Sequence, residues 1–204
     1  MGKKGLVRFA ALAMTFALSG CVTAENSLSA NDIASMKLTG VAVSFAPNAF
    51  VQWEDGGRAY AASKGGTDSQ ILGVAQTPES KVYVQNLLAS RVKAGVERVM
   101  AGQLNGPRPV RLEVVVKRFD LPPPLQSIVI GGGRGMTADA NLVDARTGAL
   151  ILANVQMSAV MPSGGGLLGS AVQAAIDNGS EQGPADKLIT LYGENYRNWL
   201  LRQS

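Results

Sequence analysis

The chain has no histidine in 204 residues. That removes Ser-His-Asp and Cys-His nucleophile activation, imidazole zinc sites and the side chain that most often moves a proton near neutral pH. There is one cysteine, Cys21, so neither a disulfide framework nor a paired-thiolate metal site can be built. Lys and Arg are not gathered on one stretch in the way that neutralising a row of phosphates requires, which excludes nucleic acid as a partner. The apolar stretch 9–18 offers ten positions, whereas roughly twenty are needed to cross about 30 Å of hydrocarbon. An enzyme built from this inventory would have to use carboxylates, lysine or tyrosine.

What is present begins with an address. Lys3, Lys4 and Arg8 precede the apolar stretch, and small residues follow it, which is the three-part layout of a secretory signal. The closing residues Leu18, Ser19, Gly20 and Cys21 resemble the lipobox of bacterial lipoproteins. The resemblance implies cleavage before Cys21, a thioether-linked diacylglycerol and an N-acyl chain on that residue. One acyl chain holds a protein marginally, with K on the order of 10⁴ M⁻¹, while two or more give a stable tether. It also implies the periplasmic face of the outer membrane, since Val22 stands where an aspartate would favour inner-membrane retention. The other reading of the same residues is an ordinary signal cut after Ala24, with Val22 and Thr23 as the small residues before the cut.

Loss of residues 1–20 takes three of the nineteen basic side chains and none of the fifteen acidic ones, leaving a net charge of +1. The remaining 184 residues suit one domain that buries about 70% of its unfolded surface. Three segments follow: a signal peptide over 1–20, a flexible polar tether over 21–37, and a single α+β periplasmic domain over 38–204.

Within that domain Val41, Val43 and Phe45 alternate with small residues and predict a strand ending at Pro47, and Ala49, Val51 and Trp53 predict a second short one. The stretch 55–76 reads as a loop with a weak strand at 71–74. Thr77, Pro78 and Glu79 open a long amphipathic helix to about residue 102, with Leu88, Val92, Val96 and Met100 on its apolar stripe. Val110, Leu112, Val114 and Val116 alternate with Arg111, Glu113, Val115 and Lys117 in the clearest strand. Strands at 136–144 and 151–159 flank a turn at Asp144–Gly148, with Ile151, Ala153, Val155, Met157 and Ala159 expected on one face. A small-residue helix at 167–177 and a last helix from Pro184, bearing Leu188, Leu191, Tyr192, Trp199 and Leu200, complete the order. The fold class is α+β: an antiparallel or mixed sheet with a long helix and C-terminal helices packed on one face.

Few motifs carry chemistry. Gly131, Gly132, Gly133, Arg134 and Gly135 could cradle an anion, but a strand rather than a helix follows them, so the run reads as a loop or bulge. The prolines 122–124 read as a rigid connector or an extended recognition segment. Glu113, Asp120, Asp139 and Asp144 lie on or beside neighbouring strands, where a carboxylate pair or a Ca²⁺ site is conceivable. Their spacing fits no Ca²⁺ loop, and a solvated face with Arg111, Lys117, Arg118 and Arg146 as partners explains them.

The mature region looks like small envelope lipoproteins of Gram-negative bacteria. Over about 105–160 its strand, Asp-x-x-Thr-Gly turn and strand are loosely similar to lipoprotein modules serving secretion channels and lipid transporters. The resemblance carries over one functional residue, Cys21, as the lipidation site. The expected function is a membrane-anchored, non-catalytic binding or assembly module of the cell envelope, with no cofactor and no metal, a membrane contact through the lipid and an envelope protein as partner. The rivals are a carboxylate-dependent hydrolase of peptidoglycan or glycan, and a carrier holding an apolar ligand among Val114, Leu142 and Leu88.

Overall fold

The computed structural model describes residues 25–66, 77–122, 134–161 and 183–203. Along the chain lie α1 (Ala30–Ser35), β1 (Met36–Trp53), α2 (Glu54–Ser63), α3 (Pro78–Met100), β2 (Arg108–Leu121), β3 (Arg134–Asp144), β4 (Leu150–Met161) and α4 (Pro184–Leu201). The strands make one sheet in the order β1-β2-β3-β4. The α+β class holds, and of the two sheet types the mixed one forms: β2, β3 and β4 are an antiparallel meander, while β1 runs parallel to β2. The parallel step follows from α3. Its 23 residues span about 35 Å and carry the chain back to the start of the sheet, so the next strand must run in the direction of β1.

The alternation in β2 decides which face is buried. Val110, Leu112, Val114, Val116, Phe119 and Leu121 point inward, and the residues between them are half-buried or exposed. Against this face α3 lies over β1 and α4 lies over β3 and β4, with α3 and α4 touching. The stripe expected on α3 is the buried one, Leu88, Val92, Val96 and Met100, and α4 buries Leu188, Tyr192 and Leu200 in the same cluster. Thr77 accepts the Ser80 N–H at 3.2 Å, with Pro78 in the first turn, which is the start that the sequence signals.

Two glycines set the distance between the helices. A Cβ on Gly95 of α3 would stand 2.5 Å from Cγ2 of Ile189, and one on Gly193 of α4 would stand 3.2 Å from Cβ of Val99. Each helix thus offers a notch to a β-branched side chain of the other. At the far end of α3, the Gly106 N–H donates to Met36 O at 2.7 Å, and a Cβ there would fall 2.2 Å from the Ser35 carbonyl carbon. The return into β2 passes flush against the α1–β1 junction.

Several local expectations are corrected. The stretch from 55 begins as a helix, α2, because Gly56, Tyr60 and Ala61 form a buried face that packs on α3, with Tyr60 and Tyr83 edge to face at 5.3 Å. The two strands expected at 41–47 and 49–53 are one strand with a register shift between Phe45 and Phe50, and Pro47 sits inside that shift. The tether expected over 21–37 does not extend so far. Ser29 Oγ accepts the Asp32 N–H at 3.1 Å while the Asp32 carboxylate accepts the Ser29 N–H at 3.0 Å, and this capping box starts α1.

In β4 the expected single face is broken by a bulge. Ala140 pairs with Asn154 but Ala138 pairs with Met157, so Val155 and Gln156 share one partner position, with Gln156 at a left-handed φ of 58°. Ala153 therefore faces Asn141 on the outer side, whereas Met157 and Ala159 face Ala138 and Met136 on the inner side. The strand expected at 71–74 and the helix expected at 167–177 lie outside the described residues.

Both edges of the sheet are interrupted. Beside the register shift at Leu38/Gly40, the Glu97 carboxylate of α3 accepts the Val41 N–H at 3.2 Å. On β4, Asn195 of α4 donates to the Ser158 carbonyl at 3.1 Å next to the bulge. Gly95→Val should lower stability by about 1–3 kcal/mol through overpacking against Ile189, read as a fall in the urea midpoint at unchanged m. An unchanged midpoint would mean that α3 and α4 are not in contact at this level.

Candidate functional site

The lipidation candidate Cys21 lies outside the described residues, and the chain is bonded to the body from Asn26. The last carbonyls of a helix have no partner within it. At the end of α4 two of them are met by one side chain: Asn26 Nδ2 donates to Trp199 O at 3.3 Å and to Leu200 O at 2.8 Å. Arg202 turns the chain out of α4 in the left-handed conformation, and its guanidinium donates back to the carbonyls of Asn26 and Leu28. The two ends of the described chain are thus clamped to each other, and the polypeptide leads from this clamp toward Cys21.

The clamp sits at one pole of the sheet. Met36 pairs with Arg108, Val110 with Asp144, and Val143 with Leu150, so α1, the hairpin over 144–150 and the end of α4 share that end. The other pole holds the ends of β1, β2 and β4 and the starts of β3 and α4. There Trp53 packs edge to face on Phe119 at 6.2 Å, and the Arg91 guanidinium lies 5.2 Å from its ring centroid while pairing with Asp186 at 3.3 Å. A Cβ on Gly56 would press on the Trp53 ring at 2.6 Å, so α2 closes over the indole directly. Trp53 Nε1 is buried without a hydrogen-bond partner.

The four carboxylates singled out in the sequence are not gathered: Glu113, Asp120 and Asp139 lie along the outer face, and Asp144 ends β3 at the position paired with the inward-facing Val110. Asp144 stands at the clamp pole, Glu113 and Asp139 near the middle, and Asp120 toward the opposite pole. Each has a basic partner: Glu113 pairs with Arg111, Asp120 with Arg118, Asp139 with Lys117 at 2.8 Å, and Asp144 with Arg108 at 3.6 Å. Only two of these four pairs bridge strands, and Arg146 serves Asp144 through its backbone N–H rather than its charge. Asp139 also accepts the Gln156 N–H at 2.8 Å and so satisfies the bulge of β4. The backbone N–H groups of Thr147 and Arg146, with smaller help from the Thr147 hydroxyl and Arg108, hold the Asp144 carboxyl below the usual carboxylate range.

Of the glycine run, Arg134 and Gly135 are described. Arg134 is buried and opens β3, and Gly135 lies within that strand opposite Val160, so these two residues belong to the sheet and not to a phosphate loop. Val114, Leu142 and Leu88, the lining expected of an apolar carrier, are at most 1% exposed and belong to one core cluster. Two tyrosines on α4 extend that cluster. Burial pushes both hydroxyls well above their ordinary value; Tyr192 has the Ala138 carbonyl at 3.5 Å, and the Tyr196 hydroxyl has no partner. Among the described residues no three of His, Cys, Asp and Glu group as metal ligands, and no helix is long and apolar enough to cross a membrane.

The clamp and the Trp53 pole were not legible in advance. Asn26 carries no sequence signal, since an asparagine meets a helix end 173 residues away only in three dimensions. Trp53 does have one: a tryptophan followed by Glu54, Asp55 and two glycines marks a strand-to-helix junction with space for a large ring.

No family model matches the chain, and no curated protein matches it. A solved structure of a candidate lipoprotein from Caulobacter crescentus CB15 is similar over 56% of this chain and 81% of its own length, at 16% identity and a TM-score of 0.32. A likeness at that distance carries no function across.

The lowered carboxyl of Asp144 makes a pH prediction. Its folded value lies below its unfolded one, so its stabilisation is complete above about pH 5 and is lost as the pH falls through the folded value. Asp144→Asn should therefore melt lower than the parent at neutral pH and lose less of its melting temperature on acidification. Parallel curves of melting temperature against pH would show that the turn does not hold this carboxylate in solution.

Proposed function

We propose that the chain is an envelope lipoprotein, held by acyl chains on Cys21 at the periplasmic face of the outer membrane, whose α+β body is a non-catalytic binding or assembly module for an envelope protein. The observation that carries this reading is the junction of two features: an export signal closing on Leu18, Ser19, Gly20 and Cys21, and a body to which the chain is bonded from Asn26 onward. Five steps of chain thus separate the proposed lipidation site from the first side chain bonded to the body. Val22 supports the outer membrane over the inner.

The charge arrangement favours binding over hydrolysis. A general acid needs a carboxyl raised toward neutral pH. The four carboxylates are instead matched by cations, and the one with a resolved shift, Asp144, is lowered. The outer face, with its compensated charges and the half-buried Val115 between them, is suited to a protein partner.

Cys21→Ala should abolish metabolic labelling by palmitate and move the protein from the membrane to the soluble fraction. Labelling that survives the substitution, or a mature product beginning at Glu25 without fatty acid, would overturn the assignment.

A further inference from the structure

The clamp fixes more than the chain ends. Consecutive Cα atoms in an extended chain advance by at most about 3.3–3.6 Å, so the five steps from Cys21 to Asn26 reach no further than about 18 Å. Asn26 is itself bonded to the last turn of α4. A lipid on Cys21 thus ties the body to the bilayer by its clamp pole, at a range shorter than the body. The 14 residues of β2 alone run about 46 Å toward the opposite pole.

The pole so presented has the surface for that contact. Lys37, Arg98, Arg108, Arg146 and Arg202 are exposed there, against the acidic groups Glu25, Asp32 and Asp144. Two of those acids are already engaged, Asp144 with Arg108 and two turn N–H groups, and Asp32 with the Ser29 cap. Arg202 spends its guanidinium on the neutral carbonyls of Asn26 and Leu28, and among the described residues no carboxylate pairs with it. Beside them the hairpin exposes residues 146–150, ending on Leu150, which is 62% exposed. Basic side chains around one apolar tip match the boundary between anionic headgroups and acyl chains.

We propose that the clamp pole, with Lys37, Arg146, Arg202 and the Leu150 hairpin, docks on an anionic lipid surface and holds the Trp53 pole away from it. The proposal rests on the lipid assignment of Cys21. The body then stands on the membrane in one orientation instead of swinging from its anchor.

The test uses the full-length lipidated protein in vesicles of phosphatidylcholine and phosphatidylglycerol that carry a headgroup-level fluorescence quencher. A thioether-linked Cys21 has no thiol, so a fluorophore attaches only to an introduced cysteine: Ala149→Cys on the hairpin or Ala62→Cys on α2, both exposed. Docking predicts quenching several-fold stronger at position 149 than at position 62, and a reduced difference when Arg146→Glu is added to the hairpin. Protein that floats with the vesicles but shows equal quenching at the two positions, or the reverse order, would overturn the orientation and leave the anchor standing. Protein that stays in solution and takes up fluorophore at Cys21 itself would remove the anchor, and the docking with it.

Discussion

The near contact of α3 and α4 over the sheet is the constraint from which the rest of the structure follows. Gly95 receives Ile189 and Gly193 lies against Val99, so the two helices share one face of the described four-stranded sheet. Side chains in a close-packed interior cannot yield by more than tenths of an ångström without cost. A notch on each helix therefore fixes where α3 crosses, and α3 in turn fixes β1 parallel to β2. The same packing places the end of α4 over the pole where β1 starts, which allows Asn26 to reach Leu200.

The parts of the fold that could be read from the chain are those in which local pattern and tertiary burial agree. Val110 to Val116 alternate and are buried in alternation, and Thr77-Pro78-Glu79 starts a helix whose stripe is the buried one. Where the two levels diverge, sequence reasoning stops. Gly56 and Gly57 argue against a helix by propensity, yet α2 forms because a glycine is what fits beneath Trp53. The alternation from Ile151 to Ala159 looks unbroken, but one left-handed residue at Gln156, held by Asp139 from the neighbouring strand, moves the second half to the opposite face. A phase change of that kind depends on a bond across strands and leaves no mark in a hydrophobic pattern.

The functional reading divides in the same way. The Cys21 proposal rests on a local signal, the residues Leu18 to Cys21 alone. The clamp that joins the two ends of the described chain depends on Asn26 and Arg202, which are unremarkable in sequence and decisive only once the end of α4 is beside them. The carboxylates are the reverse case: conspicuous on neighbouring strands, they are separated by register and matched by Arg108, Arg111, Lys117 and Arg118. The solvated, charge-matched arrangement that the sequence suggested for them is the one found, with partners that only the register could assign.

The interrupted edges have a consequence for crowding. An unbroken edge strand invites copies of a protein that meet at high density to zip into continuous ribbons. Here Pro47 and the Phe45/Phe50 shift on one margin, and the Gln156 bulge with Asn195 on the other, leave no uniform row of donors and acceptors to copy. Along the described margins an incoming strand finds no long, regular template to extend.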